Sequence, residues 1–131
     1  MAVTPLYAAL CALILVGLQW RVVALRDKYQ NTRMQEDGHS EMAAVTRAVA
    51  HVVEYTPIAL LLMLIAETQG TAPVIMHALG LTLIAGRLAH LKGLRDPSGK
   101  SPLRRLGTRI IWANIVIASL LCAASSFDIV F

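Results

Sequence analysis

Residues 47–67 read RAVAHVVEYTPIALLLMLIAE, a run apolar enough to cross a membrane that nevertheless carries Arg47, His51 and Glu54 in its first half. On an α-helix these three stand at i, i+4 and i+7 and fall on one stripe about two turns long, with Tyr55 beside it. An ionised Arg or Glu near the middle of a bilayer costs at least ~2.5 to 3.5 kcal/mol, so such groups face a partner or a wet cavity. The stretch therefore reads as a membrane helix lining a functional pocket. From Pro57 to Ala66 it is wholly apolar, which confines the pocket to one half of the bilayer. Pro57 has no amide proton for the carbonyl of Val53, so a kink or a freed carbonyl is expected beside Glu54 and Tyr55.

The rest of the chain agrees with a membrane protein. At 131 residues there is room for one domain, taken as residues 1–131, and a mean hydropathy of +0.61 is too apolar for a soluble domain of that size. Charge is absent from Met1 to Trp20, from Thr68 to Gly86 and from Ile110 to Phe127. Each window approaches the ~20 residues that span ~30 Å of hydrocarbon. Together with the opening stretch they predict an all-α, integral membrane bundle of four helices. The first apolar segment lacks a basic stretch before it and is followed by Arg21, so it is expected to be retained rather than cleaved as a signal.

A net charge of +4 would suggest a nucleic-acid partner in a soluble protein, but the positions of the basic residues argue against one. All twelve lie between Arg21 and Arg109, clustered after the first helix (Arg21, Arg26, Lys28, Arg33) and around the gap between the third and fourth (Lys92, Arg95, Lys100, Arg104, Arg105). The positive-inside rule then places both basic connections in the cytoplasm and both termini, with the short TQGTAP turn, outside. That orientation puts the charged stripe in the cytoplasmic half of the bilayer.

Helix one is expected from about Pro5 to Tyr29, with Arg21 and Arg26 able to snorkel to the interface. The polar connection NTRMQEDGHSE contains Gly38 and His39 and offers Ser40 as an N-cap, so helix two is expected to begin near Glu41. Gly70 and Pro73 bracket a short turn, and helix three follows from about Ala72 to Leu94, with Gly80 and Gly86 permitting close helix contact. Arg87 and His90 are three apart near its end and share a face, where they would close the pocket opposite Glu54. Taken singly, each also reads as an interfacial residue. Helix four is expected to start at Pro102 with Ser101 as its cap and to continue to about Ser126. Arg104, Arg105 and Arg109 lie in its first turns, where lipid headgroups suit most of this charge while one Arg turns inward. Trp112 and Phe127 are placed as an aromatic belt, and Asn114 is expected to make an interhelical hydrogen bond. His77 reads as a membrane-face residue, and Cys11 and Cys122 as small buried hydrophobes. The spacing of His51 and Glu54 alone does not make a metal site, and no metal is expected.

The stretch RAVAHVVEYTPI resembles the second-helix signature of the MAPEG family, the membrane-associated proteins of eicosanoid and glutathione metabolism. Arg47, Glu54, Tyr55 and Pro57 match that signature in order and spacing, while His51 stands where the family has Asn. The GRLAH run ending at His90 is similar to the third-helix motif of the family's prostaglandin E synthases, and Arg26 lies near the first-loop arginine of leukotriene C synthase. The resemblance covers essentially the whole chain and is closest to the short bacterial members. It implies a homotrimer in the bacterial inner membrane, with glutathione held between helices of adjacent subunits. It further implies that Glu54 takes the ammonium and that Arg47, Arg87 and Arg26 take carboxylates, with hydrogen bonds from Tyr55, His51 and His90. Arg104 or Arg105 would hold the thiolate. A hydrophobic electrophile or lipid peroxide would arrive from the lipid, giving a glutathione-dependent transferase or peroxidase.

The chain departs from the pattern at His51 and at Leu94, where many members have Tyr. The competing readings are a non-catalytic membrane protein binding lipid or a partner, its polar stripe serving assembly, and a small transporter.

Overall fold

The computed structural model describes residues 2–30, 36–93 and 102–131. It contains four helices, α1 (Thr4–Gln30), α2 (Glu36–Thr68), α3 (Pro73–Gly93) and α4 (Pro102–Ser125). All four are long and apolar enough to cross a membrane. Arg33, Leu94, Arg95, Lys100 and Ser101 lie outside the described residues.

Three helices begin and end within one or two residues of expectation, and the second does not. α2 starts at Glu36, so Gly38, His39 and Ser40 lie in its opening turns and not in a connection with Ser40 as cap. Between Pro5 and Pro57 the sequence has no proline, and an interior glycine costs a helix only about 1 kcal/mol relative to Ala. A long cooperative helix absorbs that cost. α2 also continues without interruption through Pro57, so the proline removes one backbone hydrogen bond without ending the helix. Gly70, in the turn between α2 and α3, takes a φ of 94°, a left-handed conformation that a Cβ disfavours.

The packing follows two seams. α1 lies on α2 through Leu18, Val22 and Leu25 against Val45, Ala48 and Val52. α3 lies on α4 at shorter range, because a Cβ on Gly107 would stand 2.5 Å from the amide nitrogen of His90, and one on Gly93 would stand 2.6 Å from that of Arg104. Gly86, expected as a close-contact residue, faces Gly107, Ile110 and Ile111 in this seam. Gly80, the other, does a different job by leaving room for the ring of Tyr7 on α1. A core of Tyr7, Cys11, Ala59, Met63, Met76, Leu79, Leu83, Ile111 and Ala118 joins the four helices. Asn114 donates from Nδ2 to the carbonyl of Leu79 at 2.6 Å, the interhelical bond expected of it.

At the end of the bundle where α1 begins and α2 ends, the Glu67 carboxylate accepts hydrogen bonds from the amides of Val3 and, at 2.9 Å, Thr4. A helix N-terminus leaves its first amides unpaired and carries partial positive charge, and this carboxylate answers both. His77 is half-buried, its Nδ1 2.9 Å from the hydroxyl of Tyr7. Sequence spacing gave no sign of that pairing, which joins residues seventy positions apart.

Candidate functional site

Six residues before its end, about 9 Å along the axis, α3 carries Arg87 into the interior with 1% of its surface exposed. Among the described residues its guanidinium has two hydrogen-bond partners, both side chains of uncharged or neutral-imidazole type. Nη1 lies 2.7 Å from Nδ1 of His51, and Nη2 donates to the hydroxyl of Thr56 at 2.7 Å. The Nε hydrogen is buried with no acceptor. Among the described residues no carboxylate reaches it, and Glu54, placed opposite Arg87 by the sequence reading, is exposed on the outer face of α2. The pocket is therefore closed against His51 and Thr56.

The stripe divides for a geometric reason. Residues 47 and 54, seven apart, point within about 20° of one another, whereas residue 51 is turned about 40° from Arg47. The helix is rotated so that His51 reaches the interior while Arg47 and Glu54 stay exposed on one outward line.

Around His51 the site is assembled from three helices. Its ring stacks on that of His90, itself 2% exposed, with centroids 4.3 Å apart and planes 23° from parallel. Tyr55, one turn on along α2, also lies against it with centroids 4.6 Å apart, and Tyr55 in turn leans on Trp112 of α4 at 6.4 Å. His51 Nε2 is 3.4 Å from Oγ1 of Thr108, whose hydroxyl donates to the carbonyl of Arg104 at 3.2 Å. Nδ1 of His90 is buried without a partner.

Of the residues singled out by sequence, the fold brings His51, Tyr55, Arg87 and His90 together. Arg104 approaches them, half-buried on the first turn of α4 where that turn meets Gly93. Arg105 points outward, as do Arg26, Arg47 and Glu54. Sequence reasoning missed Thr56 and Thr108. The available signal was a hydroxyl residue one position from Tyr55 and another one turn beyond Arg104, a pattern too common in membrane helices to stand out.

The arrangement is a buried cation ringed by neutral hydrogen-bonding groups, with further arginines at its rim. Such a place favours an anion. Low-dielectric surroundings strengthen that preference, since a unit charge ~4 Å from a guanidinium gains about 4 kcal/mol at the effective dielectric of a protein.

The comparisons with known proteins agree with the resemblance drawn from the motifs. The chain matches the MAPEG family over residues 4–124. It is 36% identical over 115 residues to the inner membrane protein YecN of Escherichia coli strain K12, an alignment covering 88% of this chain and 86% of that one. The YecN protein of Escherichia coli O6:H1 matches to the same extent. With four spanning helices and an inner membrane relative of nearly equal extent, the protein is an integral, multi-pass inner membrane protein. A match from the first turn of α1 to the last turn of α4 takes in every helix of the site, and the chain belongs to the MAPEG family.

Proposed function

We propose that the protein is a glutathione-dependent membrane transferase or peroxidase acting on a hydrophobic electrophile or lipid peroxide at sites between the subunits of a homotrimer. The observation that carries this reading is the buried Arg87 guanidinium without an acidic partner among the described residues. An uncompensated buried cation is costly in a bilayer unless an anion comes to it. The outward pair supplies the rest of the binding chemistry. Arg47 and Glu54 are exposed on nearly one line about 10 Å apart, a spacing suited to the carboxylate and ammonium of a small zwitterionic peptide. Both would be covered by ligand and by a neighbouring subunit.

In this reading Glu54 takes the ammonium, while Arg47 and Arg26 take carboxylates by paired contacts that Lys makes poorly. Tyr55 and His90 add polar contacts at the inner wall. Arg87 gives one hydrogen from each terminal nitrogen to His51 and Thr56, and in this reading it acts on the ligand through its charge. Arg104 holds the thiolate, because it is the half-buried member of the Arg104/Arg105 pair. A guanidinium beside a thiol favours the ionised, nucleophilic form, and about 4 kcal/mol raises the thiolate-to-thiol ratio roughly a thousandfold.

The thiolate sulfur then either bonds to an electrophilic carbon as the leaving group departs, or attacks a peroxide oxygen. The second path breaks the O–O bond and releases an alcohol after protonation by solvent, leaving a sulfenic acid that a second glutathione converts to disulfide and water. Substrate enters from the lipid. In this reading this half of the bundle and both basic connections face the cytoplasm with the termini outside, which the positions of the basic residues support.

Purified protein should consume glutathione when given a lipid hydroperoxide or a chlorodinitrobenzene. Arg104→Ala should lower the rate by about tenfold or more, on the scale of losing one electrostatic stabiliser. No turnover with either probe would remove the catalytic half of the reading. A second reading is favoured by the exposure of Arg47 and Glu54: these charges serve subunit assembly around a non-catalytic lipid or partner site. It predicts that Arg47→Ala and Glu54→Gln dissociate the oligomer, where the enzyme reading has them remove glutathione binding and leave assembly intact.

A further inference from the structure

We propose that His51 is a positioning residue, and that with Thr108 it forms a directional bridge from the Arg87 guanidinium to the turn of α4 carrying Arg104. The proposal rests on the thiol reading above and assigns His51 a role other than contact with the ligand. Hydrogen accounting fixes the bridge. A guanidinium can only donate, so Nδ1 of His51, 2.7 Å from Nη1 of Arg87, carries no proton and accepts. The ring proton therefore sits on Nε2, which faces Oγ1 of Thr108 at 3.4 Å. The one hydroxyl proton of Thr108 is spent on the carbonyl of Arg104, 3.2 Å away, so Thr108 accepts from His51. Each link has one direction, running from α3 through α2 to α4.

The ring is held in that role by everything packed against it. His90 on α3 stacks on it, Tyr55 on its own helix leans over it, and Arg87 and Thr108 hold its two nitrogens. The nearby charged group on α4 is Arg104 itself. Turning Nε2 towards a ligand would break the contacts with Arg87 and Thr108 together. The bridge needs two ring nitrogens on opposite sides of one side chain, so it is a property of His51. Its consequence is positional. The first turn of α4 is pinned relative to the buried cation, which fixes where the Arg104 guanidinium stands against the thiol.

Two measurements test this. The side-chain nitrogen spectrum of His51 in the detergent-solubilised protein should show the Nε2–H tautomer, with the Nε2 signal shifting in Thr108→Val. A proton found on Nδ1 overturns the bridge. Titrating the ultraviolet absorbance of bound glutathione thiolate against pH reads the consequence. Thr108→Val should keep glutathione affinity within about threefold yet lower the thiolate fraction near neutral pH by about fivefold or more. Thr108→Ser, which restores the hydroxyl, should recover it. If wild-type protein binds no glutathione, the glutathione reading falls and the positioning role falls with it. If it binds and the Thr108→Val titration overlays the wild type, the positioning role alone falls.

Discussion

Arg87 decides how the interior of this bundle is arranged, and its environment makes opposite predictions for single and paired substitutions. His51→Ala removes a hydrogen bond to a charged group and leaves the guanidinium with Thr56 alone. It should lower stability by about 1.5 to 3 kcal/mol, seen as a lower denaturation midpoint in detergent. Replacing Arg87 and His51 together by Met and Leu should cost less than the sum of the single changes, because no stranded charge remains. An additive cycle would show that the two residues are not coupled. At this scale the sequence was legible where charge interrupted an apolar run, which marked His51, Arg87 and His90. It was not legible which way the stripe faced. Spacing puts Arg47, His51 and Glu54 on one side of α2, but helix rotation, set by packing against α1 and α4, turns His51 in and leaves Glu54 out. Arg87 was expected to close the pocket opposite Glu54, and the fold sets it against His51 and Thr56 instead.

The helices themselves were legible because each needs about twenty apolar residues to cross the bilayer, and the charge-free windows supply them. The start of α2 was not, since Gly38 and Ser40 suit a turn locally while the helix that contains them gains from extension. The α3–α4 seam was half legible. Gly86 was marked as a contact residue, but Gly93 and Gly107, which stand among basic and polar neighbours near the ends of their helices, were not. Gly107→Ala sets a methyl 2.5 Å from the His90 amide and 2.6 Å from the Gly86 carbonyl, backbone atoms that cannot turn aside. It should cost about 1 to 3 kcal/mol and, by moving α4 away from α3, shift the His51 ring nitrogen signals. Unchanged signals would contradict this account of the seam. At the opposite end, Glu67→Gln should speed hydrogen exchange at the Val3 and Thr4 amides without touching the Arg87 site, because the carboxylate caps α1 alone.

The whole chain leaves much of its polar chemistry on the outside. Arg26, Arg47, Glu54 and Arg105 are exposed, and among the described residues α1 and α4 do not pack against one another. A membrane protein that turns Arg47 and Glu54 outward at the depth of its buried cation has unmatched charge facing lipid until another surface covers it. The proposed homotrimer does so. Cross-linking and native mass spectrometry should find three copies, and a monomer under conditions that preserve membrane assemblies would contradict it. Family membership was legible from a dozen residues of α2 because they combine charge, order and a proline in a setting where each is individually rare. The proposed shared site was not legible from one chain, since in that proposal completing it takes side chains that only assembly brings together. The most direct test is calorimetric titration of glutathione into the detergent-purified oligomer, alongside Glu54→Gln shown to keep the same oligomeric state. The account predicts saturable binding to the wild type at millimolar glutathione or below and its loss in the variant. Absence of binding to the wild type, or undiminished binding to the variant, would contradict it.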